Sequence, residues 1–366
     1  MKKIEDKQLL DTFIDLVKTD SVSGEEEAVK YKLKVYLKEA GMEVKEDDYG
    51  NLIGKKEGKG DPVILSAHMD TVEPGRGIEP EVKGDIIQSK GESILAADDK
   101  AGITEIIEAI KFLNENEINH RPIEILFTKE EEVGLKGAFN VDPSDFRSRE
   151  ILIFDGQGKP LTICSAAPYI TSIDIEVKGK LAHAGAAPEK GVNAIYASSK
   201  AISRVKWGRI DKETTTNVGI IEGGTARNSV PEKVLIKAEA RSHNKEKMKK
   251  RVEMIKKAFK EAIESVGAKV KIDVKEACSG YKLNEKDPFL KGVLDTAKGL
   301  GIKPELITSG GASDANALAG KGFKVLDISY GGEGAHTTKE KLRISWMRKT
   351  TEFLVEYLRV DQSPVS

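Results

Sequence analysis

The sequence predicts an α/β fold in which a mixed, largely parallel sheet with flanking helices carries an inserted ferredoxin-like α+β module. Three observations predict this fold. Short apolar runs alternate with amphipathic helical segments over the first part of the chain, which is the rhythm of strand–helix–strand units. From about residue 170 the strands alternate apolar and polar side chains, and after about residue 279 the first pattern returns. We therefore expect a large domain from residues 1–169 and 280–366, interrupted by a small domain from residues 170–279.

Two helices are predicted in the first segment. Ser23 and Glu26 have the spacing of a capping box, which would open a helix that ends near Ala40, with Gly41 as its stop. After Asp98, apolar residues recur at helical spacing and mark one helix face: Ile103, Ile106, Ile107, Ile110 and Leu113.

Four short apolar runs predict strands of the large sheet, at residues 63–67, 123–127, 151–154 and 325–329. The run at residues 63–67 is typical of a strand that is buried on both faces. Because such strands alternate with helical segments, we expect a substantial parallel portion in the sheet.

The inserted segment has a different pattern. Residues 170–177 and 234–240 alternate like half-exposed strands, and a further strand is predicted at residues 269–274. Helical stretches at residues 193–205 and 245–266 separate these strands. We interpret the order as β-α-β-β-α-β, which is the order of a ferredoxin-like module.

The charge and composition of the chain argue against two classes of binding partner, nucleic acids and membranes. Lys and Arg number 59 against 60 Asp and Glu, so the formal net charge is −1. We expect no nucleic-acid partner, because no basic excess exists, and no membrane partner, because no stretch approaches the about 20 apolar residues of a membrane span. The first six residues lack the apolar core of a signal peptide, which predicts a cytoplasmic protein. Cys164 and Cys278 lack metal-site or redox spacing, so we expect buried structural thiols.

His68 and Asp70 follow the apolar run at residues 63–67. Residues two apart in a strand point the same way, so both side chains are expected on one side where the chain leaves the sheet. A carboxylate near the far nitrogen of a ligating histidine fixes its tautomer, which makes His68 a predicted ligand and Asp70 its orienting partner. An ordinary surface turn explains an isolated pair of this kind equally well.

Two acidic pairs occupy similar positions. Asp98 and Asp99 lie at the start of a predicted helix, where they either cap the helix or bridge two cations. Glu131 and Glu132 follow a predicted strand, and neighbouring side chains near a strand end diverge. One of the two glutamates is then free to hold metal while the other faces substrate as a base; the alternative is a charged, solvated turn.

Asp155 and His336 complete the pattern. Asp155 ends the strand at residues 151–154, and His336 lies in a Gly-rich loop after the strand at residues 325–329. Open α/β sheets bind ligands at the carboxyl ends of their strands, where all these residues are expected. Carboxylates and imidazoles are ligands for zinc, cobalt or manganese, so together the motifs predict a metal site.

With these motifs in place, the chain resembles the peptidase T-like (tripeptide aminopeptidase-like) branch of the co-catalytic zinc exopeptidases over nearly its whole length. The motifs that carry the resemblance are residues 66–75, 96–102, 131–134, 183–185, 223–225, 309–316 and 336–338. The resemblance implies a zinc exopeptidase-like catalytic domain with an inserted lid and dimerisation domain, short peptides as substrates and a homodimer as the working form.

The resemblance also implies individual roles. One metal, expected to be zinc with cobalt or manganese as alternatives, is held by His68 and Asp155, and a second by Glu132 and His336. Asp98 bridges both metals, Glu131 is the general base, and the Asp98-Asp99 peptide bond is cis.

In the inserted segment, His183 matches a histidine that stabilises the transition state, often from the partner subunit, and a strand-end loop is its alternative. Asn228 matches a substrate-contacting asparagine. Arg241 could clamp a peptide carboxylate with two parallel hydrogen bonds, or form an ordinary exposed ion pair.

The activity expected on these grounds is release of N-terminal residues from short peptides by a two-metal aminopeptidase. A carboxypeptidase, a dipeptidase or an N-acyl amino acid deacylase would use the same metals. A non-catalytic metal-binding scaffold is the alternative from another class.

Overall fold

Nine α-helices lie within residues 4–360, the part of the chain that the computed structural model describes. They are α1 (Asp6–Val17), α2 (Glu27–Glu39), α3 (Ala97–Glu115), α4 (Lys136–Asn140), α5 (Ala194–Ser203), α6 (Lys245–Glu264), α7 (Pro288–Gly299), α8 (Asp314–Gly320) and α9 (Ile344–Leu358). Residues 1–3 and 361–366 lie outside the described residues. Residues 1–3 are part of the N-terminal segment from which we predicted that a signal peptide is absent.

The same described residues form twenty strands, several of them only two residues long. They are β1 (Glu43–Glu46), β2 (Leu52–Lys56), β3 (Val63–His68), β4 (Pro80–Lys83), β5 (Ile86–Ser89), β6 (Ile123–Thr128), β7 (Glu150–Gly156), β8 (Thr162–Ala167), β9 (Tyr169–Lys178), β10 (Ala182–His183), β11 (Gly208–Arg209), β12 (Thr214–Gly223), β13 (Ser229–Val230), β14 (Lys233–Ser242), β15 (Lys269–Cys278), β16 (Tyr281–Lys282), β17 (Glu305–Thr308), β18 (Lys324–Ser329), β19 (Gly332–Glu333) and β20 (Lys341–Arg343).

The described chain divides into two compact units. The first unit comprises residues 4–165, Leu283–Thr308 and 313–360, and the second comprises Ala166–Lys282 and Ser309–Ala312. The second unit is therefore an insertion in the sequence of the first.

The first unit is built on a mixed sheet with a parallel centre. Its strand order is β1-β2-β6-β3-β7-β18-β8, and β17 also pairs with β8. The neighbours β6, β3, β7 and β18 run parallel, whereas β1, β2 and β8 are antiparallel to their neighbours. All six residues of β3 are buried, which confirms the prediction of a strand covered on both faces.

Helix α3 lies in the core of this unit. Almost all of its residues are buried, because it contacts β3 and β7 of the sheet on one side and α1 and α9 on the other. The apolar spacing predicted the helix correctly but predicted only one buried face. The four predicted strands of the sheet are confirmed as β3, β6, β7 and β18.

The second unit has the predicted ferredoxin-like organisation. Strands β9, β12, β14 and β15 form an antiparallel sheet in the order β12-β14-β9-β15, with the short β11 beside β12. Helices α5 and α6 pack against this sheet through one apolar cluster. The β-α-β-β-α-β order is confirmed, and β12 is the strand whose position was not predicted separately.

Two local predictions were wrong. Helix α2 ends as expected before Gly41, but Ser23 does not cap it, because the Ser23 hydroxyl donates to Asp70 Oδ2 at 2.6 Å. Cys164 is buried as predicted, whereas Cys278, at the end of edge strand β15, is only half-buried. Among the described helices, none combines the length and apolar character needed to cross a membrane.

Candidate metal centre

Six side chains with metal-ligand atoms meet in the first unit: His68, Asp98, Glu131, Glu132, Asp155 and His336. Their positions follow from the parallel centre of the sheet. β3, β6 and β7 run parallel, so the residues at or just after their carboxyl ends reach one edge. The loop after β18 supplies His336, and the irregular first turn of α3 supplies Asp98.

The side chains form three groups of potential ligands, one of which is His68, Glu131 and Glu132, and the other two share the carboxylate of Asp98. Within the described residues, the ligand atoms of His68, Asp98 and Asp155 lie within 4.8 Å of one another, and so do those of Asp98, Glu132 and His336. Asp98 Oδ1 lies 2.9 Å from His68 Nε2, and Asp98 Oδ2 lies 3.4 Å from His336 Nε2. Asp98 thus belongs to both groups, and the structure brings together the five residues for which the resemblance implied metal binding.

The His68 ring provides a test of whether the site fits a metal. His68 Nδ1 lies 2.9 Å from the carbonyl oxygen of Asp70, which can only accept, so Nδ1 carries a proton and Nε2 of the neutral ring has none. This Nε2 faces Asp98 Oδ1 at 2.9 Å and Asp155 Oδ1 at 3.6 Å. Three acceptors at these distances require a proton between them, on the ring or on a carboxyl oxygen, or else a cation. The donor set therefore fits a divalent metal.

The second set has similar electrostatics. His336 Nε2 lies 2.7 Å from Glu132 Oε1, and hydrogen bonds with Asp98 and Glu132 raise the pKa of His336 to about 10. Burial alone would lower the pKa of His68, but hydrogen bonds with Asp155, Asp70 and Asp98 raise it well above its usual value. The carboxylates that face both imidazoles therefore favour positive charge at the two ring positions.

The acids carry more negative charge than these histidines neutralise. Burial raises the pKa of Asp155 well above its usual value, and the neighbouring Asp98 adds to that rise. Burial and then the charge of Asp155 do the same for Glu131. Burial would also raise the pKa of Asp98, but hydrogen bonds with His336 and His68 lower it. Such a cluster is suited to bind cations, because they relieve the repulsion.

Glu131 differs from the other acids in the cluster. Its side chain is 8% exposed, and within residues 4–360 its carboxylate accepts no hydrogen bond from a protein group. Its ligand atom lies within 4.8 Å of those of His68 and Glu132. A buried carboxylate with no fixed hydrogen-bond donor is able to take up and release a proton beside the candidate cations.

The carboxylate of Asp70 contacts backbone more closely than it contacts His68. It accepts the N–H of Glu131 at 2.9 Å and that of Glu132 at 3.2 Å, as well as the Ser23 hydroxyl. The distance from His68 Nδ1 to Asp70 Oδ1 is 3.5 Å, longer than the contact to the Asp70 carbonyl. Asp70 therefore orients His68 through its backbone and holds the two glutamates through its side chain.

Three further residues hold the ligand-bearing segments. Of these, the sequence had indicated only Asp99, as a possible helix cap or bridging acid, and neither Glu340 nor Gln157. Asp99, which follows Asp98 after the expected cis peptide bond, accepts the His68 N–H through Oδ2 at 3.1 Å. Glu340 accepts three N–H groups around Asp98. Gln157 accepts the N–H groups of Gly334 and Ala335, next to His336. Their only sequence signal is nearness to the ligand motifs.

Asp314 is a buried acid close to the same cluster. Its Oδ2 accepts a hydrogen bond from the Thr128 hydroxyl at the end of β6. Burial raises the pKa of Asp314 to about 6, and the positive His68 and the negative Asp70 and Glu132 act on it in opposite directions. The residue belongs to the motif at residues 309–316, for which the sequence assigned no role.

Two of the residues predicted to contact substrate meet in the second unit. β10 pairs with β13, so His183 lies opposite Ser229, and the Ala184 N–H donates to the Asn228 carbonyl at 3.0 Å. His183 Nδ1 accepts the N–H groups of Gly185 and Ala186 at 3.2 and 3.1 Å. Nδ1 is therefore unprotonated, and in the neutral ring the exposed Nε2 carries the proton as a donor.

Arg241 lies near the end of β14 in the same unit. Its Nε and Nη2 donate to the two carboxylate oxygens of Glu239 at 2.9 and 3.1 Å, and Nη1 donates to the Gly310 carbonyl at 3.0 Å. The ion pair considered as an alternative is thus formed. A substrate carboxylate would have to compete with Glu239 for the guanidinium.

Comparisons with known proteins agree with this fold. The family models for the peptidase dimerisation domain and for peptidase family M28 match residues 168–266 and 51–149. The chain is 40% identical to the YqjE protein of Bacillus subtilis (strain 168), over 96% of this chain and 98% of that one.

Two solved structures are similar along almost their whole length. The aminopeptidase PepT from Bacillus cereus ATCC 10987 has a TM-score of 0.93 and 39% identity, and covers 97% of this chain and 98% of its own. A tripeptidase from Staphylococcus aureus has a TM-score of 0.93 and 33% identity, with 98% of both chains covered.

The fold, the acidic and histidine-rich centre and these similarities define a metallopeptidase of the exopeptidase class. Within that class, the chain belongs to the peptidase T-like family of co-catalytic zinc exopeptidases.

Proposed function

We propose that this protein is a two-metal aminopeptidase that releases the N-terminal residue of short peptides, tripeptides above all. The observation that carries the proposal is the pair of ligand sets sharing Asp98, with the unanchored Glu131 carboxylate beside them. One metal is assigned to His68 and Asp155, and the other to Glu132 and His336. The similar aminopeptidase and tripeptidase structures support the choice of substrate.

When bound, two divalent cations, zinc in the first instance, supply Lewis-acid activation of water and of the scissile carbonyl. Glu131 takes the proton from the attacking water and delivers it to the leaving amine, because its carboxylate is buried and unanchored. Asp70 fixes the backbone from which Glu131 and Glu132 project.

His183 is assigned to the developing negative charge on the carbonyl oxygen. The backbone contacts of Nδ1 leave Nε2 as a donor in the neutral ring, which is the protonation state that this role needs. Asn228 and Arg241 are assigned to substrate binding, and Arg241 would meet the terminal carboxylate of a short peptide in place of Glu239. The cytoplasmic location predicted from the sequence is part of the same proposal.

The two units are proposed to be a catalytic domain and a lid and dimerisation domain, and the working form a homodimer. Residues 168–266, which match the peptidase dimerisation domain, contain an edge strand, β12. β11 pairs only with Thr215 and Thr216, so within the described chain no strand pairs with this edge at residues 217–223. Exposed apolar side chains lie on this edge and on α5: Ile195, Tyr196, Ile220 and Ile221. An open apolar edge is suited to a second copy.

The deciding experiment is mass-spectrometric analysis of a mixture of di-, tri- and tetrapeptides incubated with the enzyme and zinc, cobalt or manganese. N-acetylated copies of the same peptides are the control. Loss of the N-terminal residue from free but not acetylated tripeptides is the expected result. Cleavage of acetylated peptides would assign a carboxypeptidase or deacylase instead, and no cleavage with any metal would favour a binding scaffold.

A further inference from the structure

Glu340 is a buried carboxylate that lies outside both ligand sets. Its residue is 2% exposed, and its two oxygens accept three backbone N–H groups. Oε2 accepts those of Leu95 and Ala96, each at 2.8 Å, and Oε1 accepts that of Asp98 at 3.0 Å. Within the described residues, all three hydrogen bonds that the Glu340 carboxylate accepts come from the segment that carries the shared ligand.

That segment requires an external acceptor. Ala96 has a left-handed backbone with a φ of 57°, and Asp98 departs from helical geometry at the start of α3. Neighbouring N–H groups in such a turn have no helical carbonyl partner and converge on one point. A non-glycine residue in this conformation is held by its surroundings, and Glu340 supplies the contacts that hold it.

Glu340 is also tied to the other ligand segment. It follows His336 by four residues, and the turn between them is closed by bonds from the Glu340 N–H to the Thr337 carbonyl at 3.0 Å and from the Thr337 hydroxyl to the Gly334 carbonyl at 2.7 Å. The carboxylate therefore joins the short segment bearing His336 to the one bearing Asp98. These two ligands face each other with Nε2 and Oδ2 3.4 Å apart.

We infer that Glu340 is a positioning residue that fixes Asp98 relative to His336 and so sets the geometry of the metal pair. Glu340 contacts neither metal nor substrate in this role and acts only through the backbone at Leu95, Ala96 and Asp98. The role rests on the proposed function, because it assumes that Asp98 and His336 bind metal.

Glu340→Gln is the informative variant. It has nearly the same size, and one carbonyl oxygen can still accept from Leu95 and Ala96, but the amide N–H₂ then faces the Asp98 N–H, where two donors repel. Glu340→Asp keeps the charge and shortens the reach. Glu333→Gln is the matched control, since Glu333 lies in the same segment, is only half-buried and pairs with Lys341.

Three measurements on the full-length protein separate positioning from simple destabilisation. Metal-free samples are analysed by hydrogen exchange at residues 95–98. Cobalt(II) affinity and the cobalt absorption spectrum are recorded for folded protein below the onset of thermal unfolding. Finally, kcat and KM are measured for a tripeptide at saturating metal.

For Glu340→Gln we expect faster exchange at residues 95–98, cobalt affinity about 10- to 100-fold weaker, an altered spectrum and a lower kcat with little change in KM. Glu340→Asp should recover part of the affinity, and Glu333→Gln should match the wild type. Wild-type exchange, affinity and spectrum in Glu340→Gln, with only a lower melting temperature, would overturn the inference. A wild-type protein that binds no second metal would overturn the proposed function instead, and the exchange data would still report on the contact itself.

Discussion

The carboxylate of Asp70 accepts the backbone N–H of Glu131 at 2.9 Å across 61 positions of the chain. It also accepts the N–H of Glu132, while the His68 ring contacts the Asp70 carbonyl instead. One side chain thereby ties the segment of the proposed base to the segment of a proposed ligand.

Asp70→Asn tests this tie. The asparagine amide presents donors to one of the two glutamate N–H groups, so we expect kcat to fall about 10- to 100-fold with overall fold retained. Steady-state kinetics and metal analysis measure the effect. Ser23→Ala is the control, because it removes one hydrogen bond to the same carboxylate and should change unfolding free energy by about 1 kcal/mol with near-normal kcat. Normal turnover in Asp70→Asn would refute the positioning role.

Glu131→Ala tests the proposed base. General acid–base catalysis contributes about 10²- to 10⁴-fold, so turnover should fall by at least about a hundredfold. Metal content should stay near that of the wild type, because the ligand sets that share Asp98 remain intact. Full activity with intact metal would rule out this assignment.

The proposed role of His183 in stabilising the oxyanion is tested by changing the position of its N–H donor. His183→Ala should lower kcat about 10²-fold with a smaller effect on KM, because the N–H that stabilises the oxyanion is lost. His183→Gln, whose terminal amide supplies an N–H at a similar distance, should recover part of the rate, whereas His183→Asn should not. Wild-type kcat in all three variants would show that His183 has no catalytic role.

Metal should stabilise the protein more as pH rises. Without metal, burial and the charge of Asp155 raise the pKa of Glu131, and hydrogen bonds with Asp98 and Glu132 raise that of His336 to about 10. The folded site therefore binds more protons than the unfolded chain above the ordinary pKa values of these groups. The contribution of the site to the free energy of unfolding therefore falls as the pH rises toward the pKa values that these groups have in the folded protein.

Bound metal displaces these protons, so the increase in melting temperature on adding zinc should be larger at pH 8 than at pH 5.5. Thermal unfolding with and without chelator measures it. Asp98→Ala is the control and should show a small shift at both pH values. A shift that is larger at pH 5.5 would contradict the assigned ligand sets.

Ile220→Lys tests the proposed dimer edge. A charge on the unpaired edge of β12 should shift the mass measured by light scattering from two chains toward one at micromolar concentration. Val274→Lys changes a partly exposed residue on β15, the opposite edge strand of the same sheet, and should leave the mass unchanged. A wild-type mass of one chain, or loss of the dimer only in Val274→Lys, would show that β12 is not the contact.

Predictions from the sequence succeeded where the signal is local. The apolar runs that became β3, β6, β7 and β18 need no distant partner to be recognised, because burial on both faces demands continuous apolar character. β12 was not predicted separately; its first half is rich in threonine, and the structure shows that its second half exposes apolar side chains. Ser23 was misassigned because the local spacing fits a cap, whereas the hydroxyl finds a carboxylate 47 positions away.

By itself, the sequence determined the fold class and the residue types proposed as metal ligands, since periodicity and residue type are local properties. Only the tertiary structure decided which buried carboxylate accepts hydrogen bonds from which backbone segment. Within Lys339-Glu340-Lys341, Glu340 has the pattern of a solvated turn, yet it accepts the N–H of Leu95, 245 positions earlier. Long-range hydrogen bonds of this kind form where the loops after parallel strands come together at one edge of the sheet. The arrangement of these loops depends on packing across the whole unit and leaves no pattern in neighbouring residues.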